Sequence, residues 1–231
     1  MTDELERIER AYQGYKDSNA ADRWSLTNRG NRAALRERER ATYGLLRAQG
    51  WIPLGARRVL EVGCGAGHEL ARMLQFGASA GTLAGVDLIA DRVAQANRIY
   101  PQLDIRVANA EHLDFADATF DLVMAITLFS SISERTMARR VAGEAARVLK
   151  TGGGLLWYDF RYDNPRNPNV HGVDRAEMRS LFPGFHGRLE AITLLPPLSR
   201  RLGPMTQALY PLLASLPPLR THLLGLLIKA A

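Results

Sequence analysis

The chain has 231 residues, which suits one mid-sized α/β domain, or a core domain with an N-terminal extension, and is short for two full domains. Apolar residues make up 46% and charged residues 23%, so disordered, collagen-like and coiled-coil classes are disfavoured. The net charge of +6 is unevenly spread: residues 1–58 carry +4, residues 59–164 carry −3 and residues 165–231 carry +5, a pattern that suits nucleic acid, an anionic membrane surface, an anionic substrate, or plain solubility.

Residues 1–50 read as helix, loop, helix. Leu5, Ile8 and Tyr12 share a helical face, Asp17-Ser18-Asn19 and Asn28-Arg29-Gly30-Asn31 interrupt, and a second helix runs from Ala33 to Gln49. From Arg57 onward strands and helices alternate. Strands are predicted at 58–62, 83–88, 104–108, 120–127 and 155–160, with helices at 68–76 and about 91–100. Ser133 is placed to cap a helix whose apolar face is Met137, Val141, Ala145 and Val148, and Gly152-Gly153-Gly154 to end it. Asp174 with Glu177 three residues later predicts a helix through Phe182. Two late strands, about 189–195 and 222–229, flank a Pro-rich apolar connection at 196–219. Strands separated by helical crossovers imply a doubly wound, mostly parallel α/β sheet, whose ligands sit at the carboxyl ends of the strands.

The turn Gly63-Cys64-Gly65-Ala66-Gly67 joins the first strand to a helix. Glycines there let the backbone approach a ligand, and the helix N-terminus offers unpaired N–H groups to an anion. Asp87, ending the second strand, can accept the hydroxyls of a ribose. Together they point to an adenosine-containing cofactor. A dinucleotide fingerprint needs glycine at position 68, where this chain has His68, and no phosphate-loop pattern occurs. Lone Cys64 can form neither an internal disulfide nor, alone, a zinc site, and nothing beside it marks a reactive thiolate. No metal is expected. The acidic N-terminus has no signal-peptide core and no apolar run is long enough to span a bilayer, so a cytoplasmic location is expected.

Val59-Leu60-Glu61-Val62-Gly63-Cys64-Gly65-Ala66-Gly67, Val86-Asp87-Leu88, Ala108-Asn109-Ala110-Glu111-His112-Leu113, Phe120-Asp121-Leu122-Val123 and Arg147-Val148-Leu149-Lys150-Thr151-Gly152-Gly153 follow one another in the order of the motifs of class I S-adenosylmethionine-dependent methyltransferases, which the chain resembles over about residues 55–160. That resemblance implies S-adenosyl-L-methionine as cofactor and a seven-stranded Rossmann-like sheet with an antiparallel last strand. It implies that Glu61 and the turn Gly63, Cys64, Gly65, Gly67 hold the methionine part. Asp87 with Leu88 would hold the ribose, Asn109, Ala110 and Glu111 the adenine edge, and Ile126 would line the methionine pocket. The division that follows is an N-terminal helical extension or lid at 1–50 and a methyltransferase domain at 51–231, with a second lid at 196–219.

Methyl transfer from a sulfonium needs mainly alignment in a dry pocket, and a general base only for a poorly acidic hydroxyl. His171, Asp159 and His222 are the candidate bases. Thr127-Leu128-Phe129-Ser130-Ser131 replaces the N-P-P-[YF] type sequence with which many nucleobase and protein-amide methyltransferases grip an amino group, which disfavours nucleic acid. Tyr12, Tyr15, Arg23 and Trp24, with Asn28 and Asn31, are candidates to close over the cofactor. The 196–219 connection could cover an apolar acceptor, dock a second subunit or rest on a membrane. Weaker likeness of Arg161 to Gly172 to small methyltransferases of polysaccharide and secondary-metabolite pathways points to a sugar, polyketide-like or lipid-linked hydroxyl. The expectation is therefore O-methylation of a small or lipid-linked acceptor; the competing readings are an RNA- or DNA-acting enzyme and a non-catalytic cofactor-binding module.

Overall fold

The computed structural model describes residues 3–17, 24–165 and 167–230. Ser18, Asn19, Arg23 and Arg166 of the segments named above lie outside them.

Helices α1 (Asp3–Asp17) and α2 (Arg29–Ala48) precede the sheet. Asn28 caps α2 by accepting the N–H groups of Gly30 and Asn31, so the Asn-rich interruption becomes a helix start. Then follow β1 (Val59–Val62), α3 (His68–Arg72), β2 (Leu83–Asp87), α4 (Ala90–Ile99), β3 (Asp104–Val107), β4 (Phe120–Ile126), α5 (Arg135–Val148) and β5 (Leu149–Phe160). The chain continues through α6 (Arg175–Leu181), β6 (Phe185–His186), β7 (Glu190–Leu194), α7 (Pro196–Arg201), α8 (Thr206–Ala214) and β8 (Arg220–Lys229).

Strands β1 to β5 are parallel in the order β3-β2-β1-β4-β5. Antiparallel β8 pairs β5 along Gly154–Phe160, and the outer side of β8 carries both β6 and β7. The sheet is mostly parallel as expected, but the seven strands expected are eight, because β6 and β7 share the row outside β8. The order reverses between β1 and β4, which puts a crevice at the carboxyl ends of the strands.

Alternate residues of each strand feed two cores. Trp157, Leu155 and Leu223 pack with α1, α5 and α6; Leu156, Leu224 and Leu122 pack with α2, α3 and α4. Trp157 is fully buried, stacked on Phe129 at 4.9 Å between centroids and edged by Phe182.

Two expected boundaries are corrected. Ser133 does not cap α5: the Glu4 carboxylate of α1 reaches over and accepts the Ser133 N–H at 2.6 Å. Gly152 to Gly154 do not end α5 either, because Leu149 already pairs Phe120 in β5, and four residues bulge out before Gly154 rejoins the ladder at Leu122. Asp174 caps α6 as expected, accepting the N–H groups of Ala176 and Glu177.

Candidate functional site

β1 ends in a turn with left-handed φ at Gly63, Gly65 and Gly67, which side chains disfavour. The turn hangs from the second strand: Gly63 and Cys64 donate N–H groups to Val86 O at 2.8 and 3.0 Å. Asp87 Oδ2 accepts the Gly65 N–H at 2.7 Å, and Oδ1 accepts the Ile89 N–H at 2.9 Å. An ionised carboxylate has about four acceptor positions, so two remain for the hydroxyls of a sugar.

A pocket opens beside this turn, lined by Gly63 just after β1, Asp87 at the end of β2 and Leu88 just after it, Asn109 and Ala110 after β3, and Leu128 after β4. Met137 and Val141 of α5 and Ile8 and Tyr12 of α1 complete it. Its open space is about 70 Å³, narrow because α1 lies across it. The Arg92 guanidinium sits against the glycine turn, where a Cβ on Gly65 would overlap it, stacks 4.9 Å from the Tyr12 ring, and comes within 4.0 Å of Asp87 Oδ2.

α1 is held at both ends of this span. Glu4 binds the Ser133 and Glu134 N–H groups, Arg7 donates to Ser131 O at 2.6 Å, and Tyr15 and Asn167 exchange hydrogen bonds.

Of the residues expected at the cofactor, Gly63, Asp87, Leu88, Asn109 and Ala110 line this pocket. Asn109 Oδ1 accepts the Glu111 N–H at 3.0 Å, which shapes the turn that presents Ala110. Glu111 itself points away and pairs with Arg140 of α5. Gly65 and Gly67 form the turn behind the wall. Cys64 is buried with its sulfur against Gly85, and burial pushes its thiol pKa far up, so it is packing and not a nucleophile. Ile126 packs into the core on the α2 side.

Glu61 lies beneath the turn, also on that side. Burial, and then the neighbouring Glu69 charge, hold its carboxyl well above the ordinary range, with Arg38 opposing; Oε2 is buried without a partner. Arg38 pairs with Glu69 and stacks 4.7 Å from the Tyr158 ring. Sequence reasoning missed Arg38, Arg92 and Leu128, whose roles depend on which elements meet.

The three candidate bases are not brought together, and none lines the pocket. Asp159 is fully buried and accepts the Ser130 and Phe160 N–H groups at 3.1 and 2.9 Å; burial raises its pKa to about 6. His222 is buried between the rings of Tyr158 and Phe160, and burial lowers its pKa to about 3. As a neutral ring packed on both faces it corrects the expectation of an accessible base. His171 sits over the 129–131 turn, its backbone N–H donating to Ser130 O and its Nε2 3.9 Å from Glu177.

The donor set fits an adenosine-bearing sulfonium: a glycine turn with no room for Cβ atoms, a carboxylate with free acceptor positions, and an apolar slot beyond it. Among the described residues no group of three or more His, Cys, Asp or Glu could hold a metal, and no helix is long and apolar enough to cross a membrane.

The comparisons agree. Residues 59–153 match the family described as "Methyltransferase domain". The chain is 37% identical over 130 residues to the 27-O-demethylrifamycin SV methyltransferase of Amycolatopsis mediterranei, covering 53% of this chain and 46% of that protein. It is 30% identical over 159 residues to the phosphatidylethanolamine N-methyltransferase of Cereibacter sphaeroides, covering 66% of this chain and 68% of that one. The fold matches that of an S-adenosylmethionine-dependent methyltransferase from Thermotoga maritima, described as a possible histamine N-methyltransferase, with TM-score 0.62 and 18% identity over 95% of this chain and 99% of that chain. The chain thus spans less than half of the first relative and about two thirds of the second. Fold, motif order and relatives together place the chain in the class I S-adenosylmethionine-dependent methyltransferases, which use S-adenosyl-L-methionine as methyl donor.

Proposed function

We propose that this protein transfers a methyl group from S-adenosylmethionine to the oxygen of a small or lipid-linked acceptor. The observation that carries the reading is the pocket in which Asp87 and the Gly63–Gly67 turn face an apolar slot closed by α1. Bound there, S-adenosylmethionine supplies an electrophilic methyl group. Asp87 holds the ribose hydroxyls, the Asn109–Ala110 turn borders the adenine, and Ile8 and Tyr12 exclude water. The pocket's hydroxyl groups are those of Tyr12, Thr127 and Ser131, and its one carboxylate is Asp87. The choice of oxygen follows the relative named for 27-O-demethylrifamycin SV.

None of the three candidate bases lines the slot, an arrangement that suits an acceptor hydroxyl acidic enough to give its proton to solvent, as a phenol or enol is. The relatives support a broad acceptor class: one is named for a rifamycin derivative, another for phosphatidylethanolamine.

The test is incubation with methyl-labelled S-adenosylmethionine and an extract of the source cells, followed by separation of small molecules, lipids, polysaccharide and nucleic acid. Alkali-stable label that warm hydriodic acid releases as methyl iodide, the mark of a methyl ether, is expected in small molecules or lipid. Label confined to nucleic acid would overturn the reading, and cofactor binding with no labelled fraction would leave a binding module.

A further inference from the structure

The segment joining β7 to β8 carries no charged residue from Leu202 to Leu219. Its inner side is well engaged. Tyr210 and Ala214 pack on Leu194, the Tyr210 hydroxyl donates to Glu37 Oε2 at 2.8 Å, and Gly30 of α2 lies so close to the Ser199 carbonyl that a Cβ there would overlap it.

The outer side is different. Met205, Leu212 and Leu216 are 60%, 65% and 48% exposed, Pro211 stands between the first two, and Gln207 and Ser215 are the only polar side chains on the exposed side of the segment. Trp24, 56% exposed, adjoins it, with the Arg200 guanidinium 5.3 Å from its ring. Arg200 and Arg201 precede the uncharged stretch, Arg220 follows it, and residues 191–231 contain no acid.

We infer that this face docks on an anionic lipid membrane, with Met205, Leu212 and Leu216 entering the headgroup boundary and the exposed Arg201 meeting lipid phosphates, while Arg220 donates to the Ala214 and Ala191 carbonyls and stays with the fold. An apolar face that the core does not need, edged by arginine and tryptophan, has the composition of an interfacial anchor. A second copy of the chain fits less well, because two-fold pairing would bring together two acid-free segments, each with an exposed Arg201. Anionic headgroups supply the missing counter-charge. Docking there is independent of cofactor chemistry, and it deepens the lipid-linked arm of the proposed function.

The test is co-sedimentation of the full chain, without cofactor, on vesicles of phosphatidylcholine alone and of phosphatidylcholine with phosphatidylglycerol. Binding to the anionic vesicles alone is expected, falling with added salt and falling about tenfold in the L212E/L216E variant. I99E, which charges an exposed apolar position on α4, is expected to bind as the parent does. A blue shift of tryptophan emission from the parent protein on anionic vesicles is expected as a variant-free check. No binding to anionic vesicles, no emission shift, or equal binding by L212E/L216E would overturn the inference. So would a dimer seen by light scattering that L212E/L216E abolishes, which would give the face to a second copy. A melting shift with S-adenosylhomocysteine, read on the same samples, reports the cofactor site separately, so loss of one property is distinguishable from loss of the other.

Discussion

The Glu4 carboxylate accepts the Ser133 N–H at 2.6 Å and the Glu134 N–H at 3.3 Å, fastening the first turn of the chain to the start of α5. Between these anchors and the Tyr15–Asn167 pair, Ile8 and Tyr12 cover the pocket. α1 must therefore loosen for a nucleoside to enter, and its refastening shuts water out.

Glu4→Gln leaves the shape and removes the charge. Burial raises the Glu4 carboxyl pKa, but hydrogen bonds from Arg7, Ser133 and Glu134 outweigh it, and the net shift is downward from 4.5. A depressed carboxylate stabilises the fold above its unfolded pKa, and that contribution is lost as pH falls through the folded pKa. As the pH falls from about 4.5 to that folded pKa, the melting temperature of the parent is expected to fall more steeply than that of Glu4→Gln, and below it the two are expected to run parallel. At neutral pH the variant is expected to lose about 1 kcal/mol of stability and to bind S-adenosylhomocysteine with a faster dissociation rate. Stopped-flow fluorescence checks the rate, and an unchanged rate would remove α1 from the role of cover.

Gly65 has φ +54°, and a Cβ there would meet Arg92. Gly65→Ala is expected to cost about 1 to 2 kcal/mol through the left-handed backbone and to abolish the melting shift given by S-adenosylhomocysteine. Adding Arg92→Ala relieves the overlap and leaves the backbone strain. Thermal denaturation of the single and double variants checks this, and a full ligand shift in Gly65→Ala would mean that the cofactor does not approach the turn.

Asp159 separates a structural from a chemical role. Burial raises its pKa to about 6, so the folded state binds the extra proton between the ordinary value near 3.8 and about 6. Stability is then expected to fall as pH rises through that window and to level above it. Asp159→Asn is expected to flatten this slope while methyl transfer stays within about threefold. A loss beyond about a hundredfold with cofactor binding intact is the size expected of a missing general base, and would return Asp159 to the chemistry.

The sheet was legible because its signals are local: apolar runs of strand length, glycine turns and apolar spacing in α5. The positions of Asp87 and the Gly63–Gly67 turn were legible for the same reason, since a carboxylate at a strand end and a close-approach turn are set by a few neighbouring residues. What escaped depends on distant segments meeting. Ser133 looked like a cap until Glu4, 129 positions away, took that place. His222 was a candidate base near the start of the last strand, yet Tyr158 and Phe160 enclose it across the β5–β8 ladder. Glu111 fitted its motif, but Arg140 of a later helix draws it off the pocket.

The most direct test is the melting shift produced by S-adenosylhomocysteine in the parent protein and in Asp87→Ala. A clear shift in the parent that Asp87→Ala loses, for about a ten- to hundredfold drop in affinity, is the result expected when buried Asp87 holds the ribose. No shift in the parent, or one given only by a nicotinamide dinucleotide, would contradict the account.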